Sequence, residues 1–226
     1  MRPHQAALLV MPSARAMRLA PIAGGAIAGL AVLALVRLNP ELGLAGLVAT
    51  LRLSAVALAV GAAFALDDPT EDTVSPTPTP LLLRRAPRVT LVAAAVAASW
   101  SVVCWYAAST PGVEEVLPVR DLTIELASLT AVALAAAAIA TIAVADRTGG
   151  IIAAPTLLLL TVVAALLPTM QIDVSLFPQP LDPGWATAHH QWLAILAVAV
   201  AVLIVTSRSP GGRTVRQWRP HRTTSA

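Results

Sequence analysis

Long apolar runs, separated by short polar punctuation, dominate this chain. Six of them read as Leu19–Val36, Leu42–Leu66, Val89–Ala108, Leu122–Ala145, Ile151–Leu167 and Gln191–Thr206. Each approaches the ~20 residues that a helix needs to cross a bilayer. Alanine and leucine fill them, and backbone groups in lipid must pair within their own segment, so each is expected to be an α-helix. The alternation of a transmembrane barrel is absent. The expected fold is all-α, a polytopic membrane protein of six transmembrane helices.

Composition strengthens this reading. Of 226 residues, 57% are hydrophobic and 12% charged, and the mean hydropathy is +0.77. A soluble domain carries about 25% charged residues, which its polar surface requires. The first run is followed by "RLNPELG" without a suitably placed cleavage site, so it is expected to be a retained span. Residues 1–18 are basic and partly apolar and would lie along the interface, although Met11 or Met17 is an alternative start to Met1.

Charge orients the helices. All fifteen basic residues are arginine. If both termini are cytoplasmic, twelve arginines fall inside, Arg37 and Arg120 fall outside, and Arg52 lies within a span. That asymmetry fits the positive-inside rule, and it accounts for the high isoelectric point without nucleic acid as a partner. Trp105, Tyr106, Trp185 and Trp192 then sit near the outer ends of spans, as an aromatic belt would. The chain divides into residues 1–18, a transmembrane domain over 19–206, and a basic cytoplasmic tail over 207–226. Localisation would be a plasma membrane, and the arginine-only, alanine- and proline-rich usage suggests a bacterium with a GC-rich genome.

Two connections break the apolar pattern. The cytoplasmic loop 67–88 lies within "FALDDPTEDTVSPTPTPLLLRRAPRV". Its prolines at 76, 78 and 80 favour an extended connector, and Arg84, Arg85 and Arg88 would anchor the next span. Its acidic half (Asp67, Asp68, Glu71, Asp72) and basic half also suit a docking surface for a soluble partner. The outer segment 168–190, "PTMQIDVSLFPQPLDPGWATAHH", is apolar and proline-broken and is expected to form a re-entrant or interfacial pair of short helices.

Few chemical groups lie in the spans. A chain without lysine has neither a P-loop lysine nor a Schiff base, and serine and zinc hydrolase motifs are absent. No enzyme and no cofactor is expected. Cys104 is alone, and the adjacent His189 and His190 lack a third metal ligand, so they read as polar interface residues. Arg52 and Glu125 are the intramembrane charges, each costing about 2.5–3.5 kcal/mol if unpaired at mid-membrane, so they are expected to pair. The alternative puts Arg52 on a water-filled cavity. Gly25 and Gly29 form a small-xxx-small face for close helix packing.

Taken together, six spans with inner termini, an interfacial N-terminal segment, a cytoplasmic connection after the second span and a re-entrant element before the sixth resemble permease subunits of export-type ABC transporters. The stretch "FALDDP…PTPLLLRR", followed by a tryptophan-bearing span, is similar to permease-like membrane proteins of actinobacteria. The resemblance implies a separate ATPase subunit docking on loop 67–88, where a coupling helix would be confined to "LDDPTED" or "PLLLRR". It also implies a homodimer or pairing with a related permease. The alternative is a membrane accessory or scaffold protein that recruits a partner and transports nothing. An ion-coupled carrier or a lipid-modifying membrane enzyme are further rivals.

Overall fold

The computed structural model describes residues 19–38, 43–67, 81–110, 117–143, 149–170 and 174–208. Within them lie six helices: α1 (Ala20–Arg37), α2 (Gly43–Ala63), α3 (Leu81–Ala108), α4 (Val119–Ala143), α5 (Gly149–Leu166) and α6 (Trp185–Arg208). Short 3-10 turns extend α2 over Phe64–Leu66 and α5 over Leu167–Met170. All six helices are long and apolar enough to cross a membrane, and no strand occurs among the described residues. The chain is a helical, multi-pass membrane protein by architecture.

At the centre α2 packs on α4. Helices α1, α3 and α5 surround α2, while α5 and α6 flank α4, and α3 also meets α6. The alanine-rich face of α4, including Ala133, Ala137 and Ala138, is fully buried. Small side chains there let neighbouring helices approach where lipid offers no hydrophobic drive for association. By contrast, α5 presents Ile151, Leu159, Val162 and Leu166 outward.

Gly25 and Gly29 serve contact within the chain. A Cβ on Gly25 would stand 2.5 Å from the Ala57 carbonyl oxygen, and one on Gly29 would stand 2.8 Å from Ser54 Cβ. On the opposing helix, a Cβ on Gly61 would meet the Pro21 carbonyl oxygen at 2.6 Å. So α1 and α2 touch backbone to backbone, which requires glycine on each side of the seam.

Four of the six helices start earlier than the sequence expectation. The segment Leu81–Arg88, expected to belong to the connecting loop, is the first two turns of α3. Leucine and arginine are good helix formers, and Pro87 removes only the one bond its own N–H would give to Leu83. The stretch "LLLRR" is therefore continuous with α3 and forms no separate short helix. Likewise α4 begins at Val119 and α6 at Trp185, each several residues before its most apolar part.

The connection between α5 and α6 also differs. Among its described residues, no pair of short helices forms: a 3-10 turn, an irregular stretch over 174–184 and the first turn and a half of α6 occupy it. Pro178, Pro180 and Pro183 withhold the backbone donors that a helix would need there. Leu176 and Phe177 pack against the bundle core, so this stretch forms a cap over one end. That end, where α1 and α3 finish and α2, α4 and α6 begin, is the cap end; the opposite one, at Asp67, Leu81 and Gly149, is the loop end.

Candidate functional site

Beneath the cap, four segments converge on two charges. Arg52 lies nine residues beyond Gly43 on α2, and Glu125 six beyond Val119 on α4. At 1.5 Å per residue these are about 14 and 9 Å along their helices, close enough for the side chains to meet. The earlier start of α4 removes about half of the axial offset that its apolar part alone suggests. Arg52 Nε donates to Glu125 Oε2 at 2.9 Å and Nη2 donates to Oε1 at 2.8 Å. This is the two-pronged geometry that fits a planar guanidinium to a carboxylate. The Arg52 side chain is 11% exposed and that of Glu125 only 1%.

The third arm of Arg52 reaches the cap, with Nη1 donating to the Pro178 carbonyl at 2.8 Å. A proline-broken segment leaves carbonyls without helical partners, and a buried guanidinium supplies one. The faces of Phe177 and Trp185 each lie 5.4 Å from Arg52 Cζ, adding cation–π attraction. Arg52 thus ties α2, α4 and the cap together.

Helix α6 closes the cluster. Trp185, His189 and Trp192 follow at intervals of four and three residues and share one face of the helix. Trp185 Nε1 donates to Asp121 Oδ2 at 2.7 Å, and Trp192 Nε1 donates to the Leu176 carbonyl at 2.8 Å. Ser128 Oγ on α4 approaches the Trp192 carbonyl at 2.9 Å. His189 Nδ1 lies 2.7 Å from the Trp185 carbonyl, while Nε2 is 3.2 Å from Glu125 Oε1. The Nε2 contact is off the line of an N–H bond, so this buried nitrogen makes an electrostatic contact and no in-line hydrogen bond.

His189, Trp185, Trp192, Asp121 and Pro178 are members of the site that the sequence reading left out or assigned otherwise. His189 is buried and His190 exposed, so the pair does not act as one polar patch. Trp192 is 3% exposed and turned into the bundle, whereas Trp105 at 71% faces outward. Tyr106 instead stacks under Arg37, whose Cζ is 4.1 Å from the ring centroid. Arg37 also donates to Ser109 and Thr110 at the end of α3.

Of the residues expected to dock a partner, the described ones (Asp67, Arg84, Arg85 and Arg88) lie at the loop end. Asp67 Oδ1 accepts from the Gly150 N–H at 2.9 Å, capping the start of α5 from another segment. A Cβ on Gly150 would collide with Phe64 and with Asp67 at 2.7–2.9 Å, so the two segments press together. Arg85 Nη2 donates to Thr141 Oγ1 near the end of α4 at 3.1 Å. Arg84 lies in α3, and Arg88 is half-buried on the same helix. Asp68, Glu71 and Asp72 lie outside the described residues.

Comparison with family models, with curated proteins and with solved structures finds no match for this chain.

Proposed function

We propose that this chain is a non-enzymatic, permease-type subunit of a bacterial plasma-membrane exporter, with both termini cytoplasmic, driven by a separate ATPase that docks on residues 67–88. One observation carries the reading most directly. The two ends of that segment are fastened to different helices, Asp67 to the start of α5 and Arg85 to the end of α4. A partner pulling on the segment would act on α2, α3, α4 and α5 together, which is what a coupling element has to do. The arginine asymmetry of the sequence favours a cytoplasmic side for this end, where an ATPase would be.

A second reading has its own support. Two grooves, of about 430 and 460 Å³, open on the bundle sides, and side chains such as Val132, Ile139 and Val198, or Leu53, Val56 and Leu158, line them. Such apolar surfaces suit lipid or neighbouring helices, as in an accessory membrane protein that recruits a partner without transporting. Purification of the tagged chain from its native membrane, followed by reconstitution and assay of ATP hydrolysis, separates the two. The permease reading expects a co-purifying ATPase whose hydrolysis falls at least tenfold when Asp67, Asp68, Glu71 and Asp72 are all changed to Arg. Absence of a hydrolysing partner, or hydrolysis unchanged by the reversal, would count for the accessory reading.

A further inference from the structure

The cap ends in a turn that breaks a local rule. The Asp182 N–H donates to the Gln179 carbonyl at 3.1 Å, closing a four-residue β-turn with Pro180 and Leu181 at its centre. Leu181 has a φ of 71°. Proline holds its own φ negative, so a positive φ at the residue after it makes the turn type II. Glycine or asparagine normally fills that position, because a bulky side chain there crowds its own backbone. The turn is enforced from its far side. Asp182 caps α6, accepting from the Gly184 N–H at 2.8 Å through Oδ1 and from the Trp185 N–H at 3.0 Å through its carbonyl.

The side chain held this way is 89% exposed, more than any other large apolar side chain among the described residues. Within the same cap, Leu176 and Phe177 turn into the bundle core. The apolar residues of the cap therefore divide: two seal the bundle and one is displayed. A strained backbone that presents its side chain away from the fold points to a use outside the chain.

Depth identifies what lies there. Pro178, three residues earlier, is held by Arg52 within the bundle, and Trp185, four residues later, donates to Asp121 in the first turn of α4. Three extended residues span at most about 11 Å, so the turn stays close to the helix ends. Helix α6 has 24 residues, which at 1.5 Å each is about 36 Å. That exceeds the ~30 Å hydrocarbon core but not the ~40–45 Å that includes the headgroups, so its start falls in the headgroup layer. It is also a peripheral helix, with Leu193, Val198 and Val205 facing outward. A leucine beside its first turn meets lipid, with the Asp182 carboxylate at headgroup level.

We propose that Leu181 is an anchor inserted into the lipid leaflet at the cap end, holding the cap between that leaflet and the Arg52 cluster. At the boundary of headgroups and acyl chains a leucine buries apolar surface as the apolar face of an interfacial helix does. The anchor requires only the multi-pass architecture and is independent of any ATPase partner.

Two measurements on the full chain test it, in vesicles of phosphatidylethanolamine and phosphatidylglycerol. In the first, Leu181→Cys is combined with Cys104→Ala and carries a fluorophore at 181. A lipid spin label just below the headgroup should quench it about twofold more strongly than aqueous iodide does. Stronger quenching by iodide would place the turn in water and overturn the anchor. Protection from both would mean that protein covers it, a second copy or another partner, and would overturn the anchor too. The second measurement needs no label: amide hydrogen exchange of the cap in wild type, Leu181→Asn and Leu181→Phe. Asparagine suits a positive φ but is polar, so relief of strain alone predicts slower or equal exchange in Leu181→Asn. Anchoring predicts several-fold faster exchange in Leu181→Asn and wild-type exchange in Leu181→Phe. Exchange in Leu181→Asn no faster than wild type, or equally fast in both variants, would contradict it.

Discussion

The two ends of the bundle solve opposite problems with polar groups. At the cap end, Arg52 and Glu125 stand more than a helical turn inside apolar helices and are sealed by the cap, α6 and two aromatic rings. At the loop end, Asp67 and Arg85 lie near helix termini, Asp67 capping the start of α5 and Arg85 donating to Thr141. A deep charge holds its partners by the cost of losing them, while a charge at a helix end adjusts a boundary. The first arrangement should be rigid and intolerant of change; the second should bend to a partner.

The largest effect expected from this contrast is all-or-none. A reporter active only in the cytoplasm should work when fused after Ala226 or inserted near Thr77, and should fail near Pro180. Activity at Pro180 would reverse the assignment of the ends and remove the basis for docking at residues 67–88.

Next in size is Glu125→Leu, which leaves Arg52 buried without its counter-charge. Loss of one member of a buried pair destabilises by about 3–5 kcal/mol, because the remaining charge keeps its desolvation penalty. Reversible unfolding in mixed micelles should show that loss, and a change under about 1 kcal/mol would mean the cap end is as forgiving as the loop end.

Gly150→Ala tests the tightest point of the loop end. Its Cβ would press on Phe64 and Asp67, and overpacking of this kind costs about 1–3 kcal/mol. The same unfolding assay should place it below Glu125→Leu. Smaller still is Asp67→Ala, which removes a cap from the first turn of α5 and should cost about 1 kcal/mol. A larger loss at Asp67 than at Gly150 would show that the carboxylate does more than cap.

What the sequence could disclose follows the same division. Six apolar runs were legible because lipid imposes length and helicity on them whatever their packing. Which run lies inside was not: α4 and α5 are both strongly apolar, yet α4 is central and α5 faces outward. Alanine against leucine and isoleucine is the distinguishing signal, since small residues pack against helices and large ones against lipid. Arg52 and Glu125 stood out because charges are rare in spans. His189 and Trp192 did not, because a span starting at Gln191 excludes Trp185 and His189 from helical periodicity. Once α6 starts at Trp185, the spacing of 185, 189 and 192 reads as one inward face. The first turns of α3 were hidden by Pro87, a residue that punctuates more often than it continues a helix, and by three arginines that end the apolar run there.

The central claim is that Arg52 and Glu125 act as a single unit holding α2, α4 and the cap. A double-mutant cycle of Arg52→Leu, Glu125→Leu and both together, read by reversible unfolding of the full chain, tests it most directly. The pair should be coupled by about 2 kcal/mol or more, with the double variant more stable than Glu125→Leu alone. Losses that simply add would contradict the claim, since two residues that unfold independently do not share a bond.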